Sequence, residues 1–353
     1  MKSNYLSDFM SSRKNNLDII RFISAVLVIL SHSYPLVQQN NNNEPLFLFT
    51  NQSTFGGLAV AIFFIISGFL IAQSYEKSNN LSTYLKARVL RIFPGLIVCM
   101  FVIALILGPM LTTLPFNDYF SNHLLYKYFI GLALLPNLSP YLPGVFVNNP
   151  FGSFVNGSLW TLKFEFFFYI VVAFLGINKI LNKKFVGFFF IVCLIVATLD
   201  INTNIHNLFV LGSYFYGGTL FYLYRSSIPL KNIYATISLI IILITAKFGY
   251  FNTAIAILGT YLVMYIGFQQ RFTFPNFAKY GDFSYGLYIY AFPIQQAIIQ
   301  IYGITTPLYV FLLAFPITLI LSIISWYMVE KRALKLKYLT FKKTTLVKTG
   351  VLR

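Results

Sequence analysis

The chain has 353 residues, of which 58% are hydrophobic and only 10% charged, and its mean hydropathy is +0.72. A soluble domain carries about 25% charged residues, so this composition excludes a disordered chain, a nucleic-acid-binding module and an ordinary soluble enzyme, and leaves an integral membrane protein of many helices. The formal net charge of +17 suggests a polyanionic partner, but the positions of the charges assign most of it to membrane topology.

A polar arm, residues 1–16, leads into ten apolar runs near twenty residues each: 17–36, 57–75, 90–111, 158–178, 185–199, 206–224, 232–249, 251–269, 283–302 and 307–328. The predicted fold class is therefore all-α, a polytopic integral membrane protein of about ten transmembrane helices filling residues 17–330. The first run reads as a true span, because no small-residue cleavage site follows it. Residues 124–136 are apolar but too short to span. They read as a re-entrant or interfacial piece ended by Pro136. Cys99 and Cys193 each sit inside an apolar run and read as reduced core residues, which gives neither a disulfide framework nor a thiolate metal site. His123 and His206 have no partner at ligand spacing, so no metal site is expected.

Ten spans put both termini on one side. With that side as the cytoplasm, all of the 26 Lys and Arg residues except Lys127, Lys163 and Lys247 fall in or beside inside segments, as the positive-inside rule requires. A miscounted span would scramble this division. Residues 331–353 then form a basic cytoplasmic tail, expected to lie against anionic headgroups.

Among the nine acidic residues, Glu165 alone lies well inside a predicted span, while His32 and Arg21 lie inside the first. Ionisable groups in hydrocarbon are costly, so these are candidate functional residues. His32 is eleven residues beyond Arg21, about 16 Å higher at 1.5 Å per residue. Glu165 lies about two turns below the outer end of the fourth span, at a depth similar to that of His32. Such a pair suits a general base whose tautomer is fixed by a carboxylate, and it equally suits the proton relay of a transporter. Ser158, seven residues before Glu165, falls on the same helix face, with Trp160 at the outer interface. Arg88 and Arg91 lie three apart before the third span. With Arg21 they are candidate ligands for a phosphate-bearing donor at the cytoplasmic surface. In the run from Phe55 to Leu70, Gly56, Gly57, Ser67 and Gly68 permit close approach of another helix or a ligand.

Taken in order, these segments resemble the acyltransferase-3 family of bacterial membrane acyltransferases. The resemblance rests on Arg21-x10-His32, Phe63-Phe64-Ile65-Ile66-Ser67-Gly68-Phe69 and Arg88-x-x-Arg91-Ile-Phe-Pro94. It rests further on Ser158-Leu-Trp160-Thr-Leu-Lys-Phe-Glu165, Ser284-Tyr285-Gly286-Leu-Tyr288-Ile-Tyr290 and Trp326-Tyr-Met-Val-Glu330-Lys331. It implies transfer of an acyl group, usually acetyl, from cytoplasmic acyl-CoA as co-substrate to a hydroxyl of a glycan or its lipid-linked precursor, with no bound cofactor, in the bacterial inner membrane. Carried over by position, His32 is the base or acyl carrier, Glu165 supports catalysis, and Arg21, Arg88 and Arg91 bind the donor. Ser158, Trp160, Ser67, Gly68 and Tyr288 are supporting residues. Two positions depart from many members: Ala61 stands where they carry Asp, and Ala291 where they carry His, which puts a second-histidine mechanism in doubt. With only a short basic stretch after Glu330, a stand-alone membrane enzyme is expected. The alternative, a proton-coupled transporter or flippase of a lipid-linked sugar or acyl species, would use His32 and Glu165 as its relay. It predicts inverted repeats, which the sequence does not display.

Overall fold

The computed structural model describes residues 5–10, 15–78, 80–133, 140–199, 201–269, 274 and 277–338. Lys2, Arg13, Lys14, Pro136, Asp200, Arg271 and the basic residues beyond Tyr338 lie outside the described residues. The described chain is helical, with isolated β-bridges and no strand. Ten long helices coincide with the ten apolar runs: α1 (Leu17–Gln38), α2 (Phe55–Glu76), α3 (Leu81–Leu111), α4 (Gly157–Ile177), α5 (Lys183–Val196), α6 (Thr203–Leu223), α7 (Asn232–Phe248), α8 (Phe251–Phe268), α9 (Ser284–Tyr302) and α10 (Pro307–Lys335). Among the described residues, six of these are long and apolar enough to cross a membrane, namely α1, α2, α3, α4, α8 and α10. Large apolar side chains remain exposed along the outer faces, such as Ile240 and Ile244 of α7 and Leu312 and Ile320 of α10. Such a surface suits lipid rather than water. The short apolar stretch before Pro136 forms a helix, His123–Ala133, of eleven residues.

The helix ends follow from local chemistry. Asn16 precedes α1, donates to the Ile266 carbonyl at 2.9 Å and accepts from the Phe274 N–H at 2.9 Å, which ties the start of α1 to the end of α8. Asn80 and Asn182 accept from the first free N–H groups of α3 and α5, as capping asparagines do. Glu44 is fully buried. One carboxylate oxygen accepts from the Phe47 N–H at 2.8 Å and the other from the Phe55 N–H at 2.7 Å, so a single acid caps both the Pro45–Thr50 helix and α2. Its charge is stabilised by two helix N-termini.

At the centre, α2 packs against α1 and α6. Gly68 of α2 lies against the Phe215 carbonyl of α6, and Gly218 of α6 lies against the Ile65 carbonyl of α2. Each glycine thus admits the other helix's backbone, which gives Gly68 the helix-packing role its sequence context allows. A Cβ at Gly68 would meet backbone rather than a movable side chain. Gly68→Val is expected to cost ~2–3 kcal/mol, read as a lowered thermal unfolding midpoint in detergent. An unchanged midpoint would show that α2 and α6 separate freely. Cys99 and Cys193 are buried and unpaired, as the sequence predicts.

Candidate active site

Two cavities enter the bundle from opposite ends. The first, about 260 Å³, opens where α1 begins and α10 ends, and Arg21, Arg88, Arg91, Glu165 and Tyr169 line it. The second, about 460 Å³, lies at the other end, where α1 ends and α2 and α8 begin, and His32, Trp160 and His206 line it. Val60 and Tyr288 line both.

The arginine end is organised by a residue that sequence reasoning left in a loop. Asp282, just before α9, accepts from Arg21 Nη1 at 2.6 Å and from Arg91 Nη2 at 2.5 Å through one oxygen. Its other oxygen accepts from the Ser284 N–H at 3.2 Å and from Ser284 Oγ. Burial by itself would raise its pKa, but the two guanidinium groups outweigh that and hold the carboxyl below its ordinary value. The contribution of this cluster is therefore complete at neutral pH and is lost only as pH falls below the ordinary carboxylate range. Arg91 also lies over the Tyr285 ring, 5.8 Å from its centroid.

Arg88 differs from its two neighbours. Its Nε is buried without a hydrogen-bond partner, and it forms no ion pair among the described residues. Its guanidinium lies 5.7 Å from the centroid of Tyr169, within cation–π range. The Tyr169 hydroxyl donates to Glu165 Oε1, and Ser67 Oγ donates to the same oxygen at 3.4 Å. Glu165, Tyr169 and Arg88 thus form one connected chain on the arginine cavity.

His32 stands apart from that chain. Its Nδ1 is buried without a hydrogen-bond partner, and its ring meets Phe292 edge-on at 5.5 Å. No hydrogen bond joins it to Glu165. The pairing expected from matched depth is therefore not formed: the two side chains face different cavities. The 3₁₀ turn at Gly157–Thr161 also interrupts the α-helical spacing expected between Ser158 and Glu165. The Ser158 hydroxyl is buried and unpaired, while its carbonyl accepts from the Tyr288 hydroxyl at 2.7 Å. Tyr288 also meets Thr161 Oγ1 at 2.6 Å, so its ring is fixed at the boundary between the cavities. Trp160 is 41% exposed at the histidine end.

Three buried polar residues were given no role in the sequence reading. Gln295 donates to the Ile29 carbonyl and to Ser33 Oγ, both at 2.7 Å, and so braces the α1 segment that carries His32. Asn156 donates to the Ile289 carbonyl at 2.8 Å and holds the start of α4 on α9. Glu330, expected at a span end, is 2% exposed inside α10 and accepts from Ser325 Oγ at 2.8 Å. The signal for Gln295 was its place one helical turn beyond Ala291. Ala291 itself is fully buried against Ala25 and Ile29, and Ala61 is buried in the main core.

A family model described as an acyltransferase domain, of the acyltransferase-3 type, matches residues 14–327. An O-acetyl transferase of Shigella phage Sf6 is 30% identical over 339 residues, covering 91% of this chain and 96% of the phage protein. Nodulation protein 10 of Rhizobium leguminosarum bv. viciae is 32% identical over 174 residues, covering 48% of this chain and 46% of that protein. No solved structure matches the chain.

Proposed function

We propose that this chain, which belongs to the acyltransferase-3 family, transfers an acyl group, acetyl in the first instance, from cytoplasmic acyl-CoA to a hydroxyl of a cell-surface glycan or its lipid-linked precursor. The observation that carries this reading is the pair of opposed cavities, cationic at one end and histidine-bearing at the other, which have Val60 and Tyr288 in common. Ten spans with both termini in the cytoplasm, in a bacterial inner membrane, accord with the distribution of Lys and Arg. That topology turns the arginine cavity toward the cytoplasm.

In this reading Arg88 is the principal ligand of the donor's phosphates, because Arg21 and Arg91 already share Asp282. The pantetheine arm extends past Tyr288 and brings the thioester toward His32, about 16 Å along α1 from Arg21. The acceptor enters from the histidine end. Its hydroxyl oxygen bonds to the thioester carbonyl carbon while His32 takes the hydroxyl proton. The carbon–sulfur bond then breaks, and the CoA thiolate leaves and takes up a proton, so ester and free CoA are the products. Glu165 acts through Tyr169 as a positioning residue for Arg88 rather than as the partner of His32. Family membership favours this enzyme over the transport reading of the same residues.

The test is acyl transfer by the full chain in lipid nanodiscs with radiolabelled acetyl-CoA, alongside NMR measurement of surface-polysaccharide O-acetyl in a deletion strain carrying the wild-type chain. Label in glycan and restored O-acetyl are expected; the absence of both would sink the reading. Arg88→Ala is expected to raise the KM for acetyl-CoA by about tenfold or more with little change in kcat. No paired carboxylate is stranded by that change, so thermal stability should hold. A lowered kcat at unchanged KM would place Arg88 outside donor binding.

A further inference from the structure

The cavity at the histidine end differs in charge from its neighbour. Among the described residues, no Asp, Glu, Lys or Arg lines it, whereas the other cavity carries three arginines, a lysine and a carboxylate. Three asparagines reach it from separate parts of the chain: Asn41 after α1, Asn207 in α6 and Asn252 in α8. Among the described residues, the side chains of Asn41, Asn207, Asn252 and His206 make no hydrogen bond. This contrasts with Asn149, Asn156 and Asn182, whose amides are engaged in holding the fold. The uncommitted amides share their cavity with the unpartnered His32 and with the exposed indole of Trp160.

An amide offers both donors and an acceptor, which matches hydroxyl groups that donate and accept in turn. An aromatic face beside them suits the C–H surface of a pyranose ring. A carboxylate or ammonium brought into such a site would lose water and find no opposite charge, so charged acceptors are selected against. We propose that this cavity is the acceptor subsite and that it recognises an electrically neutral sugar, read by Asn207 and Asn252 with Trp160 as stacking platform, in preference to a uronic acid or an amino sugar with a free ammonium group. This rests on the acyl-transfer reading for its biological use, but the recognition itself is a binding property.

Binding can be measured without chemistry. The chain has two tryptophans, Trp160 and Trp326, and Trp326 packs against Gly281 at the arginine end. In a Trp326→Phe background, emission reports Trp160 alone. The full chain in nanodiscs is titrated with a neutral methyl hexoside, a neutral methyl 6-deoxyhexoside and the matching methyl hexuronide, without donor. A saturable emission change is expected with at least one neutral glycoside, with the hexuronide binding at least tenfold more weakly. Asn207→Ala with Asn252→Ala should weaken the neutral glycoside at least fivefold at unchanged thermal midpoint. Equal binding of the hexuronide, no response to either neutral glycoside, or indifference to the double variant overturns the proposal. Radiolabel transfer is followed in parallel. Neutral sugar binding without transfer defeats the acyl-transfer reading and leaves this one standing; transfer without discrimination does the reverse.

Discussion

Exchange of His32 for alanine is expected to lower acyl transfer by about 10²–10⁴-fold, the range for loss of a positioned general base, with the KM for acetyl-CoA nearly unchanged. The separation of effects follows from the geometry, since His32 and the arginines line different cavities. No contact to the donor's phosphates is lost with the imidazole. Its buried Nδ1 has no hydrogen-bond partner, so removing the ring strands no buried group that depended on it. The variant should therefore reach the membrane at wild-type levels and unfold at a wild-type temperature. Complementation of a deletion strain, with O-acetyl content read by NMR at matched membrane levels, checks the result in the cell. Restoration of O-acetyl by His32→Ala would show the histidine to be structural and would end the mechanism proposed for it.

The largest effect on stability is expected at Asp282. Asp282→Ala leaves Arg21 and Arg91 close together without the carboxylate they share, and the start of α9 loses the acceptor for Ser284. Breaking a buried pair from one side costs about 3–5 kcal/mol. The lower end applies here, because the side chains keep 14–21% exposure. Low membrane yield and a lowered unfolding midpoint are the expected outcome. Asp282→Asn should fold better, retain the Ser284 contact and lose affinity for acetyl-CoA as the arginines splay. If Asp282→Ala matched the wild type in both yield and midpoint, the arginines would need another anchor.

The all-helical architecture was legible because apolar runs near bilayer length repeat along the chain, and among the described residues six of the helices they form are long and apolar enough to cross a membrane. Arg21 and His32 stood out by their depth in apolar sequence, and Arg88 and Arg91 by their spacing before the third span; the structure brings the three arginines to one cavity and His32 to the other. Asp282 was not legible, because its arginine partners lie 261 and 191 positions away in the chain, and no local pattern marks a loop acid as a hub. The expected His32–Glu165 pair shows what depth alone leaves open. Depth fixes one coordinate of three, while helix rotation and lateral packing decide which cavity a side chain meets. Glu165 turns toward Tyr169, one turn on in α4, and toward Ser67 of α2, and the second of these depends on how α4 docks on α2. Likewise the 3₁₀ start of α4 defeats a spacing argument that assumes a continuous α-helix.

Tyr288, held by Thr161 and by the Ser158 carbonyl, has an electrical consequence. Were water to fill both cavities in a bilayer, the transmembrane voltage would fall across the short wall at Tyr288 and Val60 instead of across a hydrocarbon layer about 30 Å thick. Every elementary charge driven through that wall meets the full potential, about 2.3 kcal/mol per 100 mV. An uncharged thioester arm crosses it at no such cost, whereas phosphates and ions do not. On the proposed function, the tyrosine that borders both cavities would also insulate the membrane against leakage.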